Sequence, residues 1–270
     1  MLDAMHGAGL QPSKALDLVD DGKLHRYRVE GDKAGSTNGF YVRYSGAQRA
    51  GSFGSWRTGE THTWREASTT PLTPAQRAEL QRQMHAMQQA RAAEQAKVQA
   101  AARDRAGKLW ARSHPANGGH PYLTRKQVPA IGIRQLRDML LIPARDIYGE
   151  LQSLQFVMPD GSKRFLTGGR IQGCYFGVGR PLDSLLLCEG LATGGTLYAA
   201  TGRAVAVCFS CGNLLPVARA LRTKFPKMKF IVCADNDQAT PGNPGVTAAK
   251  AAAQAVGGFL AVPRFAEVPA

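Results

Sequence analysis

The last ninety residues predict an α/β fold, a mostly parallel four-stranded sheet flanked by helices. Three observations carry that prediction. Leu185–Glu189, Ala204–Phe209 and Lys229–Ala234 are near-continuous apolar runs, as expected of strands buried on both faces. They alternate with helix-length segments, which implies parallel strands joined by crossover helices. Breakers sit where the elements should end, at Gly202 and in the Pro/Gly loop 241–245.

Taken in order, the first strand of this part ends in a carboxylate, Glu189, and a helix follows over about Leu191–Ala200. After the second strand, Asn213 is a candidate cap for a helix reaching about Phe225. The third strand ends at Asp235-Asn236-Asp237, a helix spans about Val246–Val256, and Gly258–Val262 is a fourth short strand.

Three segments precede it, giving divisions at 1–70, 71–117, 118–180 and 181–270. Residues 1–70 read as a small α+β unit with β-type runs Tyr27–Val29, Phe40–Tyr44 and Ser52–Trp56 between glycine turns. Its aromatics alternate with arginines. Two readings stand: the aromatics form this unit's core, or they stack on bases while the arginines bind phosphates. Residues 71–117 are a long basic helical connector. Thr73-Pro74-Ala75-Gln76 supplies an N-cap, a proline at the first helical position and a glutamine three residues on. Good helix formers continue to about Arg112, for roughly 55–60 Å. The apolar stripe is thin (Leu80, Met84, Met87, then alanine), so the helix is expected to lie across a surface. Residues 118–180 mix a short helix at about Arg134–Met139 with strands Leu140–Pro143, Leu151–Met158, Lys163–Leu166 and Cys174–Val178. Met158–Ser162 has hairpin-turn chemistry.

Composition narrows the function. The chain has 270 residues, 44% hydrophobic, with 34 Lys+Arg against 20 Asp+Glu and a net charge of +14. That apolar fraction excludes general disorder. The apolar runs fall far short of the roughly 18 residues of a membrane span. The opening MLDAMHGAGL lacks the basic-then-apolar order of a signal peptide, so a cytoplasmic protein is expected. Ten of the fourteen excess charges lie in residues 71–180, which points to an anionic partner, nucleic acid first. Five cysteines, mostly inside apolar runs, fit neither a disulfide framework nor a zinc site, and no zinc is expected.

Ligands of open α/β sheets gather beyond the carboxyl ends of the strands. Glu189, Asp235 and Asp237 fall there. Three acids converging in a basic chain need a counter-charge. Mg²⁺ (or Mn²⁺) suits them, since it takes hard oxygen ligands and completes its shell with substrate phosphates.

Leu186-Leu187-Cys188-Glu189-Gly190 followed by Ala234-Asp235-Asn236-Asp237 resembles a Toprim domain, the fold shared by bacterial replicative primases, type IA and II topoisomerases and OLD-type nucleases. Glu189-Gly190-Leu191-Ala192-Thr193 is similar to primases of phages and conjugative plasmids, mobile genetic elements. Upstream, Tyr122-Leu123-Thr124-Arg125-Lys126, Ile142-Pro143-Ala144-Arg145-Asp146 with Gly149, and Lys163-Arg164-Phe165-Leu166 resemble three motifs of the primase catalytic core, in order. The resemblance covers about residues 105–263. It implies that Glu189 binds metal or serves in acid–base work and that Asp235 and Asp237 hold Mg²⁺. It also implies that Arg125, Lys126, Arg145, Lys163 and Arg164 bind the nucleotide or the primer–template backbone. Single-stranded DNA and NTPs are the implied partners, with a replicative helicase as a further one. The implied function is DNA replication chemistry, namely nucleotidyl transfer making short RNA primers. Two departures stand out. Thr193 and the Asn213 region lack acids that cellular primases carry there, and no zinc ribbon is present. A Toprim nuclease and a non-catalytic DNA-binding accessory are the alternatives.

Overall fold

A computed structural model describes residues 1–46, 49–66, 73–238 and 240–264. The chain divides into two compact units, Met1–Arg91 and Ala92–Ala270.

The first unit holds α1 (Leu2–Gly7) and strands β1 (His25–Tyr27), β2 (Gly39–Tyr44), β3 (Ala50–Ser55) and β4 (Thr61–Arg65). They form one antiparallel sheet in chain order. The first strand lies two residues earlier than expected, and β4 adds a strand the apolar runs do not mark. Met5, Leu10, Tyr27, Val29, Tyr41 and Phe53 are its buried core. Three of the aromatics therefore serve packing, while Trp56 is 58% exposed. The acids are largely committed: Asp20 pairs with Arg43 and Arg49, Asp21 with His25, and Asp32 with Arg57.

Helix α2 (Pro74–Arg112) starts at the expected proline and belongs to both units. The anticipated boundary near residue 70 and the side chains of Gln76, Leu80, Met84 and Met87 lie outside the described residues. In the second unit Ala102 and Ala106, one turn apart, are fully buried. Ala106 packs with Leu141, Leu154 and Phe156, flanked by Leu109 and Trp110. Small side chains at this spacing let the helix lie close on a sheet.

That sheet contains β5 (His114–Pro115), β6 (Arg134–Leu136), β7 (Met139–Arg145), β8 (Leu151–Val157) and β9 (Lys163–Phe165), antiparallel and in chain order. Helix α3 (Pro121–Lys126) follows β5 and is capped by His120, whose Nδ1 accepts the Tyr122 N–H at 3.2 Å. The helix expected at Arg134–Met139 is instead a hairpin: Leu136 pairs with Met139 across a two-residue turn in which Arg137 is left-handed at φ 56. Good local helix formers there lose to pairing with the apolar strand that follows.

The C-terminal sheet is built from β10 (Phe176–Val178), β11 (Ser184–Cys188), β12 (Ala204–Val207), β13 (Lys229–Cys233) and β14 (Phe259–Ala261), ordered β10-β12-β11-β13-β14. Helix α4 (Leu191–Thr201) links β11 to β12, α5 (Cys211–Lys224) links β12 to β13, and α6 (Pro244–Ala255) links β13 to β14. Four strands are parallel, as predicted, but the sheet has five. The additional strand, β10, runs antiparallel to β12 and covers its free edge. Leu185, Leu187, Ala206, Phe230 and Val232 face α5 and α6. Leu186, Cys188, Val205 and Val207 face α4 and the inward side of the antiparallel sheet, formed by Leu140, Ile142 and Val157. All five cysteines are free, and burial pushes the Cys174 and Cys233 thiols up to about 11. Among the described residues no helix is long and apolar enough to cross a membrane.

Candidate active site

Glu189 is the first residue beyond β11, and Gly190 leads from it into α4. The helix comes very close to the sheet. A Cβ on Gly194 would stand 2.4 Å from Val207 Cγ2, so only glycine fits. The close approach brings Thr193 to the end of β13, where its hydroxyl donates to Asp235 Oδ1 at 3.3 Å.

Asp235 and Asp237 lie in the loop leaving β13. Asn243, the N-cap of α6, organises this loop. Its Oδ1 accepts the N–H of Asp237 at 3.2 Å and of Val246 at 3.4 Å, and its Nδ2 donates to Asn236 Oδ1 at 2.8 Å. Asn236 Nδ2 in turn donates to the Pro263 carbonyl at 3.0 Å. The sequence reading missed Asn243. Its signal was present as Asn before a proline at the first helical position.

The electrostatics bind these groups into one site. Partial burial, then repulsion from Asp235 and Asp237, holds the Glu189 carboxyl above the ordinary glutamate range. The backbone N–H of Cys211, at the start of α5, and the Lys163 ammonium act in the opposite direction. Lys163 projects from the inward side of β9, opposite Val157, with its ammonium 5.7 Å from the Tyr122 ring. Its strand neighbour Phe165 meets Phe209 edge-to-face at 5.7 Å. Phe209, the second residue beyond β12, is left-handed at φ 72, a conformation a non-glycine residue adopts only under constraint.

The remaining basic candidates are distributed around this centre. Arg125, near the Met158–Ser162 turn, donates to the Pro159 carbonyl at 3.2 Å, and Lys126 is exposed in the last turn of α3. Arg164 points to the opposite side of the antiparallel sheet, 5.6 Å from the Phe156 ring. Arg145 lies 5.7 Å from the Trp110 ring and donates to the Gly149 carbonyl at 2.8 Å. The structure thus brings Glu189, Asp235, Asp237 and Lys163 together and sets Arg145 and Arg164 apart from them.

Asn213 is not the cap of α5; Ser210 holds that position. Asn213 instead turns inward, accepting from Gly173 N–H and donating toward the carbonyls of Ile171, Cys174 and Cys208.

Hard oxygen donors at mutually repelling carboxylates suit a divalent cation of the Mg²⁺ type. Among the described residues no three His, Cys, Asp or Glu side chains close into a ready-made cage.

Residues 184–267 match the Toprim domain family. Over 260 residues, 92% of the chain, it is 38% identical to DNA primase TraC of Escherichia coli. A second E. coli protein named DNA primase TraC is 36% identical over 279 residues, 98% of the chain. The chain spans 24% and 19% of the lengths of these relatives. The primase fragment of the bacteriophage T7 primase-helicase protein aligns with 53% of this chain and 64% of its own, at 16% identity and a TM-score of 0.40.

Proposed function

We propose that this chain is a catalytic core for primer synthesis, of the kind found in phage and plasmid primases. It would join ribonucleotides on single-stranded DNA by metal-dependent phosphoryl transfer. The observation that carries this reading is the placement of Glu189, and of Asp235 and Asp237, beyond the carboxyl ends of the paired parallel strands β11 and β13. The similarity to two proteins named DNA primase supports it.

In the reaction a primer 3′-hydroxyl attacks the α-phosphate of an incoming NTP, a new P–O bond forms and pyrophosphate leaves. Asp235 and Asp237, with Glu189, are the residues to hold Mg²⁺ or Mn²⁺. Bound there, the metal supplies charge stabilisation to the attacking and leaving oxygens. Thr193 fixes the rotamer of Asp235 through its hydroxyl, and Asn243 fixes the backbone that presents Asp237. Where Asp235 and Asp237 alone hold the metal, Glu189 is placed to take the proton of the attacking hydroxyl. Lys163 faces the acids and neutralises triphosphate charge. Arg125 and Lys126 would follow the nucleic-acid backbone nearby. Arg145 and Arg164, on the other side of the antiparallel sheet, would reach only a strand that wraps around it.

The test is incubation with single-stranded DNA, labelled NTPs and Mg²⁺ or Mn²⁺, with products resolved by length. Short oligoribonucleotides that disappear in Asp235→Ala are expected. Shortened DNA without nucleotide incorporation would identify a nuclease instead. DNA binding with no product from either substrate would identify an accessory.

A further inference from the structure

We propose that the N-terminal unit binds the phosphodiester backbone of a single strand in a cleft between residues 12–16 and 35–37. The cleft has a volume of about 400 Å³, room for a nucleotide. Its lining holds three cations, Lys14, Arg26 and Arg28, and not one acid. Elsewhere in the unit several cations are paired with acids. Asp20 serves Arg43 and Arg49, Asp21 serves His25, and Asp32 serves Arg57. Among the described residues neither Lys14 nor Arg26 has such a partner. The small net charge of residues 1–70 therefore conceals a local excess.

Two details make this a built cleft and not scattered surface charge. Arg26 and Arg28 are two residues apart in extended backbone, so both project from the same side. Arg28 is already held in place, its Nε and Nη2 donating to the Asp32 carbonyl at 3.0 and 2.7 Å. A guanidinium anchored at one edge presents its remaining N–H groups with little entropy left to lose. In the wall, the Ser36 hydroxyl is shielded from water and has no hydrogen-bond partner. Pro12 and Leu16 give the cleft an apolar side against which a sugar can rest. Cations and hydroxyls recognise phosphate oxygens and carry no base code, so the binding is independent of sequence.

This inference does not rest on the primase reading, and its test needs neither metal nor nucleotide. Binding of labelled oligo(dT) to the full chain is followed by fluorescence anisotropy across a salt series. Lys14→Gln with Arg26→Gln removes two charges and keeps both side-chain stems. The log–log salt slope should fall by about 1.4, and affinity at 0.1 M salt should drop roughly 25-fold. Arg26→Lys should recover part of the loss. Arg65→Ala, exposed on β4 away from the cleft, should leave slope and affinity unchanged. An unchanged slope in the double variant, or an equal loss in Arg65→Ala, overturns the proposal. So does an unaffected oligo(dT) affinity accompanied by loss of nucleoside triphosphate binding, since the cleft would then take free nucleotides.

Discussion

Asn213→Ala isolates a side chain that ties the C-terminal sheet to the loop before it. The amide is 5% exposed. It accepts from Gly173 N–H at 2.9 Å, and its NH₂ is shared among the carbonyls of Ile171 (3.2 Å), Cys174 (2.9 Å) and Cys208 (2.8 Å). An NH₂ group has two hydrogens for these three acceptors, so two full bonds and the accepted one are at stake. Alanine leaves the Gly173 N–H and about two carbonyls unpaired away from water, at about 1–3 kcal/mol each. Carbonyls tolerate this better than N–H groups, so a total of about 3–4 kcal/mol is expected. For a unit of this size, about 2–4 °C per kcal/mol lowers the melting midpoint by about 10 °C. Asn213→Asp keeps the shape but turns a carboxylate toward carbonyl oxygens, so it should destabilise at least as much and add no Mg²⁺ affinity. Thermal unfolding by circular dichroism, with and without Mg²⁺, reads both. A midpoint within about 1 °C of the parent for Asn213→Ala would refute the cross-link. Tighter Mg²⁺ binding by Asn213→Asp would refute the assignment of this position to structure.

Gly245→Ala would place a Cβ 2.4 Å from the Asp235 carbonyl oxygen, and backbone cannot yield as a side chain can. Shifting Asp235 away from its partners should cut Mg²⁺-dependent product formation by something of order 10²-fold, read in the primer assay. Glu189 carries a carboxyl raised by burial and by Asp235. A raised folded-state value means that ionised Glu189 opposes folding above that value and does not below the ordinary glutamate range. Metal-free Glu189→Gln should therefore melt higher than the parent at neutral pH. The difference should vanish as the pH falls below the ordinary range, as a pH series of melting curves would read. Lys163→Ala should raise the KM for NTP, whereas Arg164→Ala should leave that KM alone and weaken strand binding; equal effects of the two on KM would contradict the two-sided placement of β9.

The parallel strands and their carboxylates could be read from sequence because burial on both faces leaves a continuous apolar signature. Residues 185–187, 204–207 and 230–233 have little choice but the sheet centre. The hairpin at Arg134–Met139 was hidden because Arg, Gln, Leu and Met favour a helix, and the deciding partner is the neighbouring strand. Lys163 and Arg164 are adjacent in sequence, and both read as basic. Only the pairing of Val157 with Lys163 and Phe156 with Arg164 assigns them to opposite faces. Asn213 looked like a cap because it stands near a helix start. Its acceptors come from a loop about forty residues earlier, a separation that no local pattern carries.

Strand β10 bears on how this fold could be cut or transplanted. The family match begins at 184, but the partner that closes the β12 edge lies at 176–178. A fragment trimmed to the match would present an unpaired, apolar strand edge, a template for self-association. Extending it to Phe176 does not suffice, because Tyr175 exchanges backbone hydrogen bonds with Arg145, at 2.8 and 3.0 Å. The smallest portable piece therefore includes the antiparallel sheet and the part of α2 that packs on it, and begins before Ala102. Recombination in such a chain would keep the β12 edge covered only where the crossover falls outside that span.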